Sequence, residues 1–199
     1  MTETDWRARV LKFWFGLKPE QWWNGGPELD QRIKQKFLEL WFEKRQLPLD
    51  AFLTDPLTAV SAVILFDQFP RNMFRGHAEA YATDHMALGI AKEAVARGFD
   101  EQLALEERRF LYMPFEHSED LDDQNRAVLL FSAMGDDEQG KYAKLHRDVS
   151  ERCGRRGPLV SGLVEAAQFN SRVEADLARL YLESQGVEAV LFDTEINYF

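Results

Sequence analysis

Three charged side chains, Asp67, Arg71 and Arg75, stand among phenylalanines and aliphatics in LFDQFPRNMFRG, residues 65–76. Two guanidiniums four residues apart project from one face of a helix. Planar, bidentate donors of this kind suit the oxygens of a carboxylate or phosphate. Asp67, Arg71, Asn72 and Arg75 are therefore candidates for an anion-binding site. The structural alternative is an internal salt-bridge hub in which Asp67, Asp84 and Glu119 neutralise the two arginines. Asp84 is expected to face inward, because Leu88 and Ala91 follow it at helical spacing. A buried charge network costs desolvation, so stability alone is a weak reason for one.

A second group lies in YMPFEHSED, residues 112–120, with His117 and Glu119 as candidate catalytic residues. Pro114 is expected to stop one helix and Ser118 to cap the next, which sets His117 just before a helix N-terminus. The field there disfavours imidazolium, leaving a neutral ring able to accept a proton or bind a metal. The plain alternative is that His117 and Glu119 satisfy backbone donors at the turn. Ser118 beside His117 is a poor nucleophile pair, since adjacent residues rarely meet in the required geometry and no nucleophile elbow is present. His146, between Leu145 and Val149 with Tyr142 and Cys153 on the same helical face, is a third candidate, by default a hydrogen-bonded core histidine. HExxH, HxxxH and other closely spaced ligand pairs are missing, so no metal is expected. His77 and His85 read as rim residues. No cofactor is required.

These residues need elements to hold them, and the elements read as helices. Thr4 or Asp5 caps a helix to Phe15, with Gly16 just past its end. Pro27 opens a second, in which Leu29, Ile33, Phe37, Leu40 and Trp41 make an apolar stripe ending near Arg45. Asp55-Pro56 starts the apolar segment Leu57 to Phe66, whose alanines favour helix over buried strand. Pro70 is expected to push Phe69 off helical angles and turn the chain, leaving free amides beside the arginines. Further helices are expected over Ala78 to Arg97, Leu103 to Met113, Ser118 toward Gly135, Glu138 to Cys153, and from Gly157-Pro158 to about Ser184. The tail VEAVLFDTEINYF extends the last helix or pairs as a strand. Trp14, Trp22, Trp23 and Trp41 at helical spacing read as core before pocket lining. Short connections between successive helices imply antiparallel pairs in an all-α domain.

Composition narrows the partners. At 199 residues the chain fits one domain, residues 1–199, able to bury roughly 70% of its unfolded surface. A net charge of −10 and a pI near 4.9 argue against nucleic acid, which needs a clustered cationic stripe. One cysteine, Cys153, builds neither a disulfide framework nor a thiolate zinc site, and MTETDWRARV lacks a signal-peptide core. The longest apolar run, Ala59 to Phe66, is far short of the roughly 20 residues that span a bilayer. A cytoplasmic protein without membrane association is expected. Oligomeric state is not legible.

VLKFWFG (Val10 to Gly16), FDQFPRN followed by MFRG (Phe66 to Gly76), FLYMPFEHSED (Phe110 to Asp120) with Gln124, and HRD (His146 to Asp148) occur in this order and spacing. By them the chain resembles the bacterial family catalogued as domain of unknown function 924, over about residues 10–152. The resemblance implies an all-α fold similar to tetratricopeptide-type helical arrays, in proteins without an assigned activity. Family members continue with a motif resembling FGRFPHRN, then LGR and a Thr-x-Glu-Glu cap. This chain instead has CGRRGPLVSGLVEAAQFN from Cys153, in which Gly154 and Arg155 fit, so residues 153–199 diverge.

Two functions follow as expectations. The first is a binding protein or scaffold whose helical groove, edged by Arg71, Asn72, Arg75 and His117, takes a small anionic ligand or a peptide terminus. The second is a hydrolase-like enzyme on a small anionic substrate, with His117 or His146 as general base and Arg71 as anion clamp. A module whose charges only fix helix packing is the bland remainder.

Overall fold

The computed structural model describes residues 5–23, 25–135, 144 and 147, and every regular element among them is helical. The chain divides into two compact units, 1–118 and 119–199.

The first unit opens with α1 (Trp6–Trp14), capped by the Asp5 carboxylate, which accepts from the Arg7 amide at 3.1 Å. Gly16 follows the helix end because a Cβ there would lie 2.7 Å from the Lys12 carbonyl oxygen. After the short α2 (Pro19–Trp23), Gly26 takes a φ of +71° and leads into α3 (Gly26–Lys44). The stripe read from the sequence, Leu29, Ile33, Phe37, Leu40 and Trp41, is the buried face of α3. Of the four tryptophans read as core, Trp14 and Trp41 are buried, Trp22 is half-buried, and Trp23 is largely exposed.

Asp55 caps α4 (Pro56–Val63) by accepting from the Thr58 amide at 2.9 Å. The helical run then continues through a π-helical turn, Ile64–Gln68, into α5 (Phe69–Met73). All residues from Thr58 to Pro70 are buried, so α4 forms the core against which α1, α6 (Asp84–Ala96) and α7 (Leu105–His117) pack, while α5 packs on α3. The expectation that Pro70 turns the chain is corrected here. Phe69 has φ −67° and ψ −41°, ordinary helical values, and its amide bonds the Ile64 carbonyl in the i→i+5 pattern. The wider π turn takes up the disturbance that the proline ring would cause in a regular helix.

Three further expectations are corrected. The helix read over Ala78 to Arg97 is a 3-10 turn, Ala78–Tyr81, followed by α6, with Thr83 between them. Pro114 does not stop α7, which runs past it to His117 with both Pro114 and Phe115 buried. Its ring removes one internal hydrogen bond, a local cost of about 3 kcal/mol. Burial of the flanking residues Phe110 to Phe115 offsets that cost, since each large apolar side chain contributes about 1.5–3 kcal/mol. Ser118 is the residue just past α7, and the cap of the next helix is Asp120.

In the second unit, α8 (Leu121–Ala133) begins with Asp120 accepting from the Asp122 amide at 2.8 Å. It buries Asp123, Gln124, Ala127, Val128 and Phe131. Of the helix expected over Glu138 to Cys153, Lys144 and Arg147 are described and helical. The rest of it, His146, Cys153, the helix after Gly157-Pro158 and the tail lie outside the described residues.

Candidate functional site

The π turn delivers one acid into the interior. Asp67 is fully buried. Its Oδ1 receives His117 Nδ1 at 2.8 Å and Arg71 Nη1 at 3.1 Å, and its Oδ2 receives Gln68 Nε2 at 2.5 Å. Burial alone pushes the carboxyl up, but the Arg71 charge, His117 and the Gln68 bond outweigh it and hold it at about 2. Asp67 is therefore ionised at neutral pH. A carboxylate only accepts, so Nδ1 of His117 carries a proton and Nε2 bears the lone pair of the neutral ring.

Pro70 explains part of the neighbourhood. In a regular helix the Phe66 carbonyl would accept from the amide four residues on, which a proline lacks. The Thr83 hydroxyl donates to it instead, at 2.6 Å, and receives Trp41 Nε1 at 3.1 Å. The next two carbonyls also meet side chains: Arg71 Nη1 donates to Asp67 O and Asn72 Nδ2 to Gln68 O, both at 2.8 Å. Where free amides were expected beside the arginines, the corner offers carbonyls bonded to side chains.

Arg71 and Arg75 go to different carboxylates. Arg71 makes a fork on Asp84, at 2.8 and 2.9 Å, in addition to its bonds to Asp67, and lies over the Tyr81 ring at 5.5 Å. Burial opposes its charge, yet Asp67 and Asp84 hold it firmly protonated. Asp84 is pushed up by burial and by the nearby Asp67 charge, against the pull of Arg71. Arg75 forks onto Asp30 of α3 at 2.7 and 2.9 Å, with Asn72 Oδ1 at 3.4 Å, and its side chain is 58% exposed.

His117 is the last residue of α7, so the nearest helix end is the carbonyl-bearing one, opposite in sign to the end expected from the sequence. Its side chain is 15% exposed. Glu119 is exposed, whereas Glu116, one turn position earlier and passed over in reading the sequence, is buried. Thr83 was also passed over. The signal for Thr83 lies in Pro70, which implies an orphaned carbonyl but does not say which hydroxyl reaches it. Among the described residues no three His, Cys, Asp or Glu side chains are placed to hold a metal ion. No helix among them is long and apolar enough to cross a membrane.

The model of a family described as bacterial protein of unknown function (DUF924) matches residues 10–156, a range that includes Asp67, Arg71, Asp84 and His117. The chain is also similar to a solved structure, the protein of unknown function ATU0120 from Agrobacterium tumefaciens. The two are 36% identical with a TM-score of 0.71, over 75% of this chain and 84% of that one. No curated protein matches.

Proposed function

The chain belongs to the bacterial family of unknown function DUF924, and we propose that it is an enzyme in which His117 moves a proton during turnover of a small substrate. The observation that carries this reading is the 2.8 Å contact between His117 Nδ1 and the buried Asp67 carboxylate. An ionised acid in that position fixes the ring's tautomer and orientation and stabilises the imidazolium formed when Nε2 takes a proton. Hydrolysis is one reaction class that needs no side-chain nucleophile. Nε2 takes a proton from water as its oxygen attacks, and returns it to the leaving group. The cost of burying Asp67 with Arg71 favours a functional over a purely structural origin, because well-packed apolar residues would be neutral or stabilising in the same volume. A π turn beside the acid points the same way, since such insertions concentrate at functional sites.

The test has two parts. Nitrogen-15 NMR of the histidine ring is expected to show Nδ1–H with Nε2 unprotonated in the neutral form. A ring protonated at Nε2 instead would end the reading whatever the substrate. In a hydrolysis screen over activated esters, amides and phosphomonoesters, His117→Gln is expected to lower kcat on any substrate turned over by about 10²–10⁴-fold.

A binding protein for a small anion or a peptide terminus is the second reading, and one observation favours it. The side chains of the Arg71–Asp84 fork are 23% and 29% exposed. With the Asp84 carboxyl pushed up, an incoming carboxylate or phosphate can take its place on the guanidinium.

A further inference from the structure

A different face of the first unit carries four cations that form no ion pair among the described residues. Arg9, Lys12 and Phe13 of α1 face Arg32, Lys36 and Phe37 of α3 across a cleft of about 390 Å³. The spacing on each helix, three or four residues, brings the side chains to one wall. The two rings form the floor, meeting edge to face with centroids 5.1 Å apart, and Phe37 is buried. Each arginine lies over the ring of the opposite wall, Arg9 at 6.0 Å from Phe37 and Arg32 at 5.5 Å from Phe13. Arg9 Nη2 also donates to the Lys36 carbonyl at 3.3 Å. These contacts hold the guanidiniums over the floor without neutralising them.

Elsewhere in this unit several arginines are matched with acids, Arg7 with Asp5 and Asp55, Arg71 with Asp67 and Asp84, Arg75 with Asp30, while Arg45 lies over the Trp41 and Phe42 rings and Arg108 donates to the Asp100 and Leu103 carbonyls. Among the described residues none of the four groove cations forms an ion pair. In a chain of net charge −10, with ten more acidic than basic side chains available, four positive charges collected in one cleft repel one another and leave a local positive potential. A single monovalent anion balances one of them. Two walls, each with one fork and one point charge, match an anion carrying three or four charges on adjacent groups.

We infer that the cleft between α1 and α3 binds a condensed phosphate, a diphosphate or triphosphate chain, with Arg9 and Arg32 as bidentate donors and Lys12 and Lys36 as point charges. Guanidinium forks fit phosphate oxygens in pairs, and lysines supply unoriented charge to the remainder. The volume falls within the range of small-molecule sites. The same chemistry arises from an inorganic polyphosphate or from a nucleoside polyphosphate, and their relative affinities distinguish them, since only the nucleoside brings a planar body that can add contacts beyond the phosphates.

The test is isothermal titration of the full chain at low salt with tripolyphosphate, with a nucleoside triphosphate, and with inorganic phosphate. One saturating site for tripolyphosphate is expected, with inorganic phosphate at least about tenfold weaker. Lys12→Ala with Lys36→Ala should weaken tripolyphosphate by at least about tenfold, and more salt should weaken the wild type. Arg9→Lys and Arg32→Lys keep the charge and remove the forks, so they serve where the alanine pair fails to fold, and should also weaken binding. A nucleoside triphosphate tighter than tripolyphosphate assigns the nucleoside source; equal affinity assigns the inorganic one. No saturable heat with either compound, or binding indifferent to all these substitutions, overturns the inference.

Discussion

Replacing Asp67 by asparagine removes the buried charge while keeping the side chain's size, and the structure sets what should follow. The gap between the ordinary aspartate value of 3.8 and the value of about 2 held here corresponds to about 2 kcal/mol of stability. The sign follows from proton binding. Between these two values the unfolded chain binds the proton and the folded protein does not, so stability falls as pH is lowered through the window. The contribution is complete above about pH 4 and lost near pH 2. Asp84, whose carboxyl is pushed up, acts in the opposite sense; the share due to burial is common to both proteins, and the share due to the Asp67 charge is lost in the mutant and makes the expected change somewhat smaller. Urea unfolding followed by tryptophan fluorescence suits the measurement, because all five tryptophans lie in the first unit. The wild type is expected to be the more stable protein at pH 6, and the gap to Asp67→Asn should shrink by about 2 kcal/mol on going to pH 2. Parallel profiles with a constant gap would refute the reasoning, since Asp67 would then titrate alike in both states.

The two arginines read together from the sequence should separate under mutation. Arg71→Ala strands the buried Asp67 and should cost about 3–5 kcal/mol, whereas Arg75→Ala breaks an exposed pair and should cost about 1 kcal/mol or less; urea midpoints compare them, and equal costs would count against the burial argument. Asp84→Asn frees one fork of Arg71. If the binding reading holds, a thermal-shift screen should then show a larger stabilisation by citrate or phosphate than in the wild type, and an unchanged shift would count against it.

How much was legible varied with the range of the interaction. The α3 stripe Leu29, Ile33, Phe37, Leu40 and Trp41 was readable because helical burial has a fixed period, and Asp5 and Asp55 were readable as caps because a cap acts over two or three residues. The prolines misled for the same reason. Pro70 and Pro114 have a known local cost, but whether a chain breaks there depends on the burial that opposes it. At Pro70 the π turn took up the insertion, and at Pro114 the packed helix tolerated the lost bond.

What this sequence determined by itself is the helical class, the places where most helices begin, and the presence of acids and guanidiniums too costly to bury without reason. Those properties rest on neighbours along the chain. Only tertiary structure decided which acid each arginine holds: Asp84 is 13 residues from Arg71, Asp30 is 45 from Arg75, and His117 is 50 from Asp67. No periodicity encodes such pairings. They are settled when α3, α6 and α7 pack around the run from α4 to α5, because a buried charge must find its partner in whatever the packing brings within reach. The same packing lays α1 against α3 and gathers four cations that the sequence scatters over 28 positions, from Arg9 to Lys36.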